Sequence, residues 1–174
     1  HAKAILEYQD AARYDQSPAI FYALSKDYSI IGKHALAAQA AKDAIRLDSA
    51  NMSYRENLAQ IFVNAFQNDL AVGVYEEMLQ LDSMYTSAWH NLARLYQSTH
   101  PLKALEIYEK LLDRGGDTWE LLVQTADLYS QLGRFSEAAV KYRRLLELDP
   151  SSRSLQRQLA ETYGRAGNSE GAIR

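Results

Sequence analysis

Residues 126–150 read ADLYSQLGRFSEAAVKYRRLLELDP, and the reading of this stretch decides the fold. Ala126 and Tyr129 share one apolar face, Gly133 interrupts the pattern, and Ala138, Tyr142 and Leu145 make a second face that stops at Asp149-Pro150. Apolar residues three and four apart occupy one side of an α-helix. A glycine between two such runs suits the turn that separates two helices, and a proline cannot continue the second one. The spacing predicts one helical hairpin. A single hairpin cannot bury its own stripe, so it has to stack on others of the same kind.

The same marks return on both sides of this stretch. Ala4, Ala37, Ala71, Ala104, Ala138 and Ala172 are separated by 33, 34, 33, 34 and 34 residues. Aromatic marks keep the same period, at Tyr28, Phe62, Tyr96, Tyr129 and Tyr163 in the first helix of each pair. In the second helix they stand at Tyr8, Tyr75, Tyr108 and Tyr142, with Ala41 in place once. These tyrosines are expected in the core. Ser25, Ala59, Ala93, Ala126 and Ala160 mark positions where a close helix–helix contact excludes anything larger. Junctions read Leu47-Asp48-Ser49, Leu81-Asp82-Ser83 and Leu148-Asp149-Pro150. In the third unit the junction is Asp113-Arg114-Gly115-Gly116-Asp117, whose glycines permit the left-handed backbone of a helix end.

Trp89 to Tyr96, WHNLARLY, followed by Ala104 and Tyr108 four residues apart, resembles the tetratricopeptide repeat (TPR) family, whose unit is about 34 residues. The resemblance covers nearly the whole chain and implies an all-α, right-handed α-solenoid of stacked antiparallel helix hairpins. It divides a single domain, 1–174, into the second helix of a partial repeat at 1–17, full repeats at 18–51, 52–85, 86–118 and 119–152, and a partial repeat at 153–174. Two departures are local: the third unit is one residue short at Thr99-His100-Pro101, and Phe66 stands where a turn glycine is usual. The chain enters one hairpin late and leaves another early, which is expected of a segment of a longer array. Its ends are then expected to offer apolar faces for self-association.

Composition narrows the function. The chain has 174 residues, 47% hydrophobic and 24% charged, with a net charge of -3. Residues 48–85 hold one basic and six acidic residues, whereas 141–174 hold seven basic and four acidic. An acidic total without a Lys/Arg run argues against nucleic acid as the main partner. No apolar run approaches the ~18 residues of a bilayer-spanning helix, so membrane insertion is not expected. The absence of cysteine removes disulfides, thiolate nucleophiles and cysteine-based metal sites. No targeting segment is legible, which leaves cytoplasm and bacterial periplasm or envelope both open.

No stretch announces chemistry. His1, His34, His90 and His100 lie far apart, and no pair has the spacing of metal ligands on a helix. Phosphate-loop, nucleophile-elbow and calcium-loop patterns are missing, so no cofactor and no enzymatic activity are expected of these residues. Asn51-Met52-Ser53 matches a glycosylation sequon and reads as coincidence.

In proteins of the resembled family the first helices line a concave surface. The residues that would face a ligand there include Tyr22, Lys26, Glu56, Gln60, His90, Arg94, Asp127 and Arg157. Asn57, Asn91, Gln124 and Gln158 recur 34, 33 and 34 residues apart and form a ladder of amides on the same side. A carboxamide offers an acceptor and two donors, so it can hold the C=O and N–H of an extended peptide. The clamp by which some members of the family hold acidic chaperone C-termini does not match, since of its positions only Asn57 agrees. The expected function is a scaffold that binds a peptide or protein segment in the concave groove. The alternative is a substrate-recruiting arm of a larger enzyme whose catalytic domain lies elsewhere.

Overall fold

The computed structural model describes residues 1–115 and 118–167. Two sequence expectations, the left-handed glycine at Gly116 beside Asp117 and the periodic Ala172, lie outside the described residues. Among the described residues there are ten α-helices and no strand: α1 Ala2–Tyr14, α2 Pro18–Ile30, α3 His34–Leu47, α4 Met52–Asn64, α5 Asn68–Leu81, α6 Thr86–Thr99, α7 Pro101–Gly115, α8 Trp119–Gln131, α9 Phe135–Leu148 and α10 Arg153–Arg165. They gather into two compact units, one over His1–Ala88 and one from Trp89 onward.

Within the first unit each helix packs on the next, α1 on α2 through α4 on α5, and α2 also touches α4. Within the second, α8 packs on α7 and α9, and α10 packs on α9. The periodic small residues explain how the helices come so close. Ser25 and Ala59 in the first unit, and Ala93 and Ala126 in the second, expose no surface at all. A larger side chain at any of them would push the helices apart.

Local chemistry sets the helix ends. Pro18 opens α2 in the first turn, where its missing N–H costs no hydrogen bond. The turn after α2 closes with Gly32 N–H donating to the Ser29 carbonyl at 3.0 Å and Lys33 N–H to the Tyr28 carbonyl at 2.9 Å. That double bond pattern needs a left-handed residue at its centre, and Gly32 supplies it with φ +74. Gly133 does the same after α8, with φ +73. Phe66 takes this conformation after α4 with φ 58, and Gln67 N–H donates to the Phe62 carbonyl at 2.9 Å. The missing turn glycine therefore leaves the turn geometry unchanged. Between α6 and α7 only His100 intervenes, which accounts for the shorter third spacing.

The expected core tyrosines divide by how many helices surround them. Tyr28, Tyr75, Tyr108, Tyr129 and Tyr142 are buried. Tyr8 of α1 and Tyr163 of α10 are only half-buried, because each of these helices packs mainly against one described neighbour. Tyr96 is also half-buried, resting edge-on against the His100 ring with centroids 5.4 Å apart.

Candidate functional site

In the first unit, the residues expected to face a ligand gather on α2 and α4. Tyr22 is half-buried, its ring 5.1 Å from that of Tyr54 and tilted by 43°. The Lys26 ammonium stands 5.3 Å from the Tyr22 centroid, within reach of its π-face. Glu56 accepts hydrogen bonds from the Tyr85 hydroxyl at 3.2 Å and from the Ser87 hydroxyl. Burial, followed by the nearby Glu56 charge, raises the Tyr85 pKa, so this phenol is a donor at neutral pH. Gln60 is exposed and donates to Asn64 at 2.9 Å.

The amide ladder is partly used by the fold itself. Asn57 Nδ2 donates to the fully buried Ser25 hydroxyl at 2.6 Å, and Ser25 donates to the Tyr22 carbonyl at 2.7 Å. This links α4 to α2 and gives a buried hydroxyl its partner. In the second unit, Gln124 Oε1 accepts from Gln97 Nε2 at 2.5 Å, and the same nitrogen lies 3.1 Å from the Tyr108 hydroxyl. Asn91 Oδ1 accepts from the Arg94 guanidinium at 3.1 Å. Only Gln158 is exposed among the four. Its backbone carbonyl accepts from Thr162 at 2.6 Å.

His90, Asn91 and Arg94 of α6 meet Glu120 and Gln124 of α8 around a cavity of about 150 Å³ closed on one side by Tyr108. Burial pushes the Tyr108 phenol up to about 12, so it stays neutral beside Arg94. A second cavity of about 150 Å³ is bounded by Tyr142, Gln158, Glu161 and Arg165. Asp127 accepts from the Tyr142 hydroxyl at 2.8 Å, which takes up one of its oxygens. Arg157 is exposed and meets none of these residues in a hydrogen bond or ion pair. The fold thus brings together Tyr22 with Lys26, Asn57 with Ser25, and His90, Asn91, Arg94 and Gln124 around one cavity. It leaves Gln60 and Arg157 apart on open surface.

Tyr54 and Tyr85 are not among the residues expected to face a ligand, yet Tyr54 lies against Tyr22 and Tyr85, in the connection before α6, donates to Glu56. The signal for Tyr54 is local: it lies three residues before Asn57, on the same side of α4. Among the described residues no group of three or more histidine, cysteine or acidic side chains is placed to hold a metal ion. No described helix is long and apolar enough to cross a membrane.

Residues 119–162 match the model of the tetratricopeptide repeat. BBSome complex member BBS4 of Bos taurus is 25% identical over 130 residues, which cover 74% of this chain and 25% of that protein. The uncharacterized protein ycf37 of Porphyra purpurea is 32% identical over 92 residues, covering 52% of this chain and 50% of that one. The chain therefore spans a quarter to a half of the length of these curated relatives. Among solved structures it is similar to YrrB, a TPR protein with an unusual peptide-binding site, with a TM-score of 0.72 and 17% identity over 95% of this chain and 87% of that one. It is also similar to the C-terminal part of a TPR repeat-containing protein from Cytophaga hutchinsonii, with a TM-score of 0.80 and 18% identity over 95% and 66% of the two chains. At these identities the likeness is one of fold, the all-α solenoid of helix hairpins. Proteins built this way are generally non-catalytic scaffolds that bind protein or peptide partners. The family match makes residues 119–162 similar to the tetratricopeptide repeat, and the 34-residue recurrence and the shared hairpin fold carry the same helix-hairpin architecture along the rest of the described residues.

Proposed function

We propose that the chain is an interaction scaffold whose first-helix faces hold a peptide segment of a partner protein. The observation that carries this reading is the cavity bounded by His90, Asn91, Arg94, Glu120 and Gln124. It collects donors and an acceptor of both charge signs within a space sized for one small polar group. Gln124 keeps its Nε2 donors available, since the fold uses its oxygen. A peptide carbonyl is the group that such donors would take, and Glu120 supports a peptide N–H in return. In the first unit, Tyr22, Tyr54 and Lys26 separately present an amphipathic surface that suits a peptide side chain. YrrB, a protein of the same fold, has a peptide-binding site, which makes the class of ligand reasonable for this architecture.

The test is selection of peptides from a random-sequence library on the immobilised chain, followed by anisotropy titration of the selected peptides. Two variants accompany it, Tyr22→Ala with Lys26→Ala, and Arg94→Ala with Gln124→Ala, each checked for helical content by circular dichroism. Selected peptides are expected to lose at least about tenfold in affinity for one or both variants. Peptides that bind the variants as well as the native chain would move the site off this face.

A further inference from the structure

On the opposite side of α4 a cleft of about 450 Å³ opens between α3 and α5. With about 3.6 residues per turn, Arg55, Leu58 and Phe62 share one side of α4, and Glu56, Asn57 and Gln60 share the other. Leu58 and Phe62 form the floor, and Ile45 of α3 with Leu70 and Val74 of α5 form the walls. Leu70 keeps 52% of its surface in solvent, so apolar surface is left uncovered at the mouth.

The charges around the cleft are sorted by element. Lys42 and Arg55 come from α3 and α4, whereas Asp69 and Glu77 come from α5. Among the described residues no ion pair joins the two sets. Between Asp69 and Glu77, at four-residue intervals on the same side of α5, lies Gly73. A Cβ there would meet nothing within 4 Å, so no neighbour in the fold calls for a glycine that weakens a helix interior. Its bare backbone leaves open space at this point of the cleft.

We propose that this cleft binds an amphipathic α-helix of a partner protein. The partner's apolar stripe fills the space above Leu58 and Phe62, and its near flank passes closely over Gly73. Its basic flank runs along α5, meeting Asp69 and Glu77 across roughly 12 Å, about two helical turns, and its acidic flank faces Lys42 and Arg55. A helix is the form that fits, because it brings an apolar stripe to a groove with its own backbone hydrogen bonds already made. This site is separate from the first-helix face and does not depend on it.

The probes are three synthetic helical peptides of about five turns with one leucine stripe: one flanked by lysine on one side and glutamate on the other, one by glutamate on both sides, and one with the split-flank composition scrambled. Binding to the full chain is followed by fluorescence anisotropy. The split-flank peptide is expected to bind, and the scrambled one to fail. Gly73→Leu is expected to weaken the split-flank peptide by at least about tenfold while raising the thermal midpoint, which separates blockage from misfolding. Asp69→Lys with Glu77→Lys is expected to turn the preference towards the glutamate-flanked peptide. No binding by the split-flank peptide, or binding indifferent to both variants, overturns the proposal.

Discussion

Phe66 holds a backbone conformation that its own side chain opposes. Its φ of 58 lies in the left-handed region, where an L-residue is disfavoured by roughly 1–2 kcal/mol. The ring is 92% exposed, so packing does little to offset the strain. The turn bonds made around Phe66 match those around Gly32 and Gly133, which fixes the comparison. Phe66→Gly should relieve the strain, less the roughly 0.5–1 kcal/mol that glycine's greater unfolded-state freedom costs. A net gain of up to about 1.5 kcal/mol is expected from these two terms, read as a higher urea midpoint. Gly32→Ala and Gly133→Ala should each lower it, because an added Cβ meets no neighbour in either turn and only the backbone strain remains. A Phe66→Gly variant that is no more stable would mean that the exposed ring has contacts beyond the turn.

At the scale of single helices, the start of α4 hangs on one side chain. Asn51 Oδ1 accepts from the Ser53 N–H at 3.1 Å, while α2, α3 and α5 begin without a side-chain cap bond. Thr118 does the same for α8 through Leu121 N–H, at a longer 3.4 Å. Asn51→Ala is expected to cost about 1 kcal/mol, and Thr118→Ala less, with amide exchange speeding up first at Ser53 and Leu121. Unchanged exchange at Ser53 in the Asn51 variant would show that α4 is held by packing alone. The sequence showed the hairpins clearly because alanine and tyrosine recur where helices touch, and volume exclusion leaves those positions few choices. It showed Asn51 only as part of a sequon, since an N-cap depends on where the helix starts to within one residue. The binding face was legible as a list of polar positions and not as a set of partnerships. Asn57 with Ser25 and Gln124 with Gln97 are bonds between neighbouring first helices, and a period alone does not say which amide atom each one uses.

At the scale of the whole molecule, the phenols with the largest shifts lie in the second unit. Burial is the largest cause that pushes Tyr108, Tyr129 and Tyr142 up to about 12. Hydrogen bonds then add to it where Tyr129 donates to Glu109 at 2.6 Å and Tyr142 to Asp127 at 2.8 Å. The ordinary value for each is 10.0. Below that value both folded and unfolded chains keep these protons, so the contribution of the three phenols to stability is whole. Above it the unfolded chain releases them first, and folding loses that contribution as pH climbs from about 10 to about 12. The thermal midpoint is therefore expected to fall across this alkaline window. Tyr142→Phe removes one of the three groups, and its midpoint should fall less steeply over the same window than that of the native chain. A slope identical to the native one would assign the alkaline loss to charges other than these buried phenols.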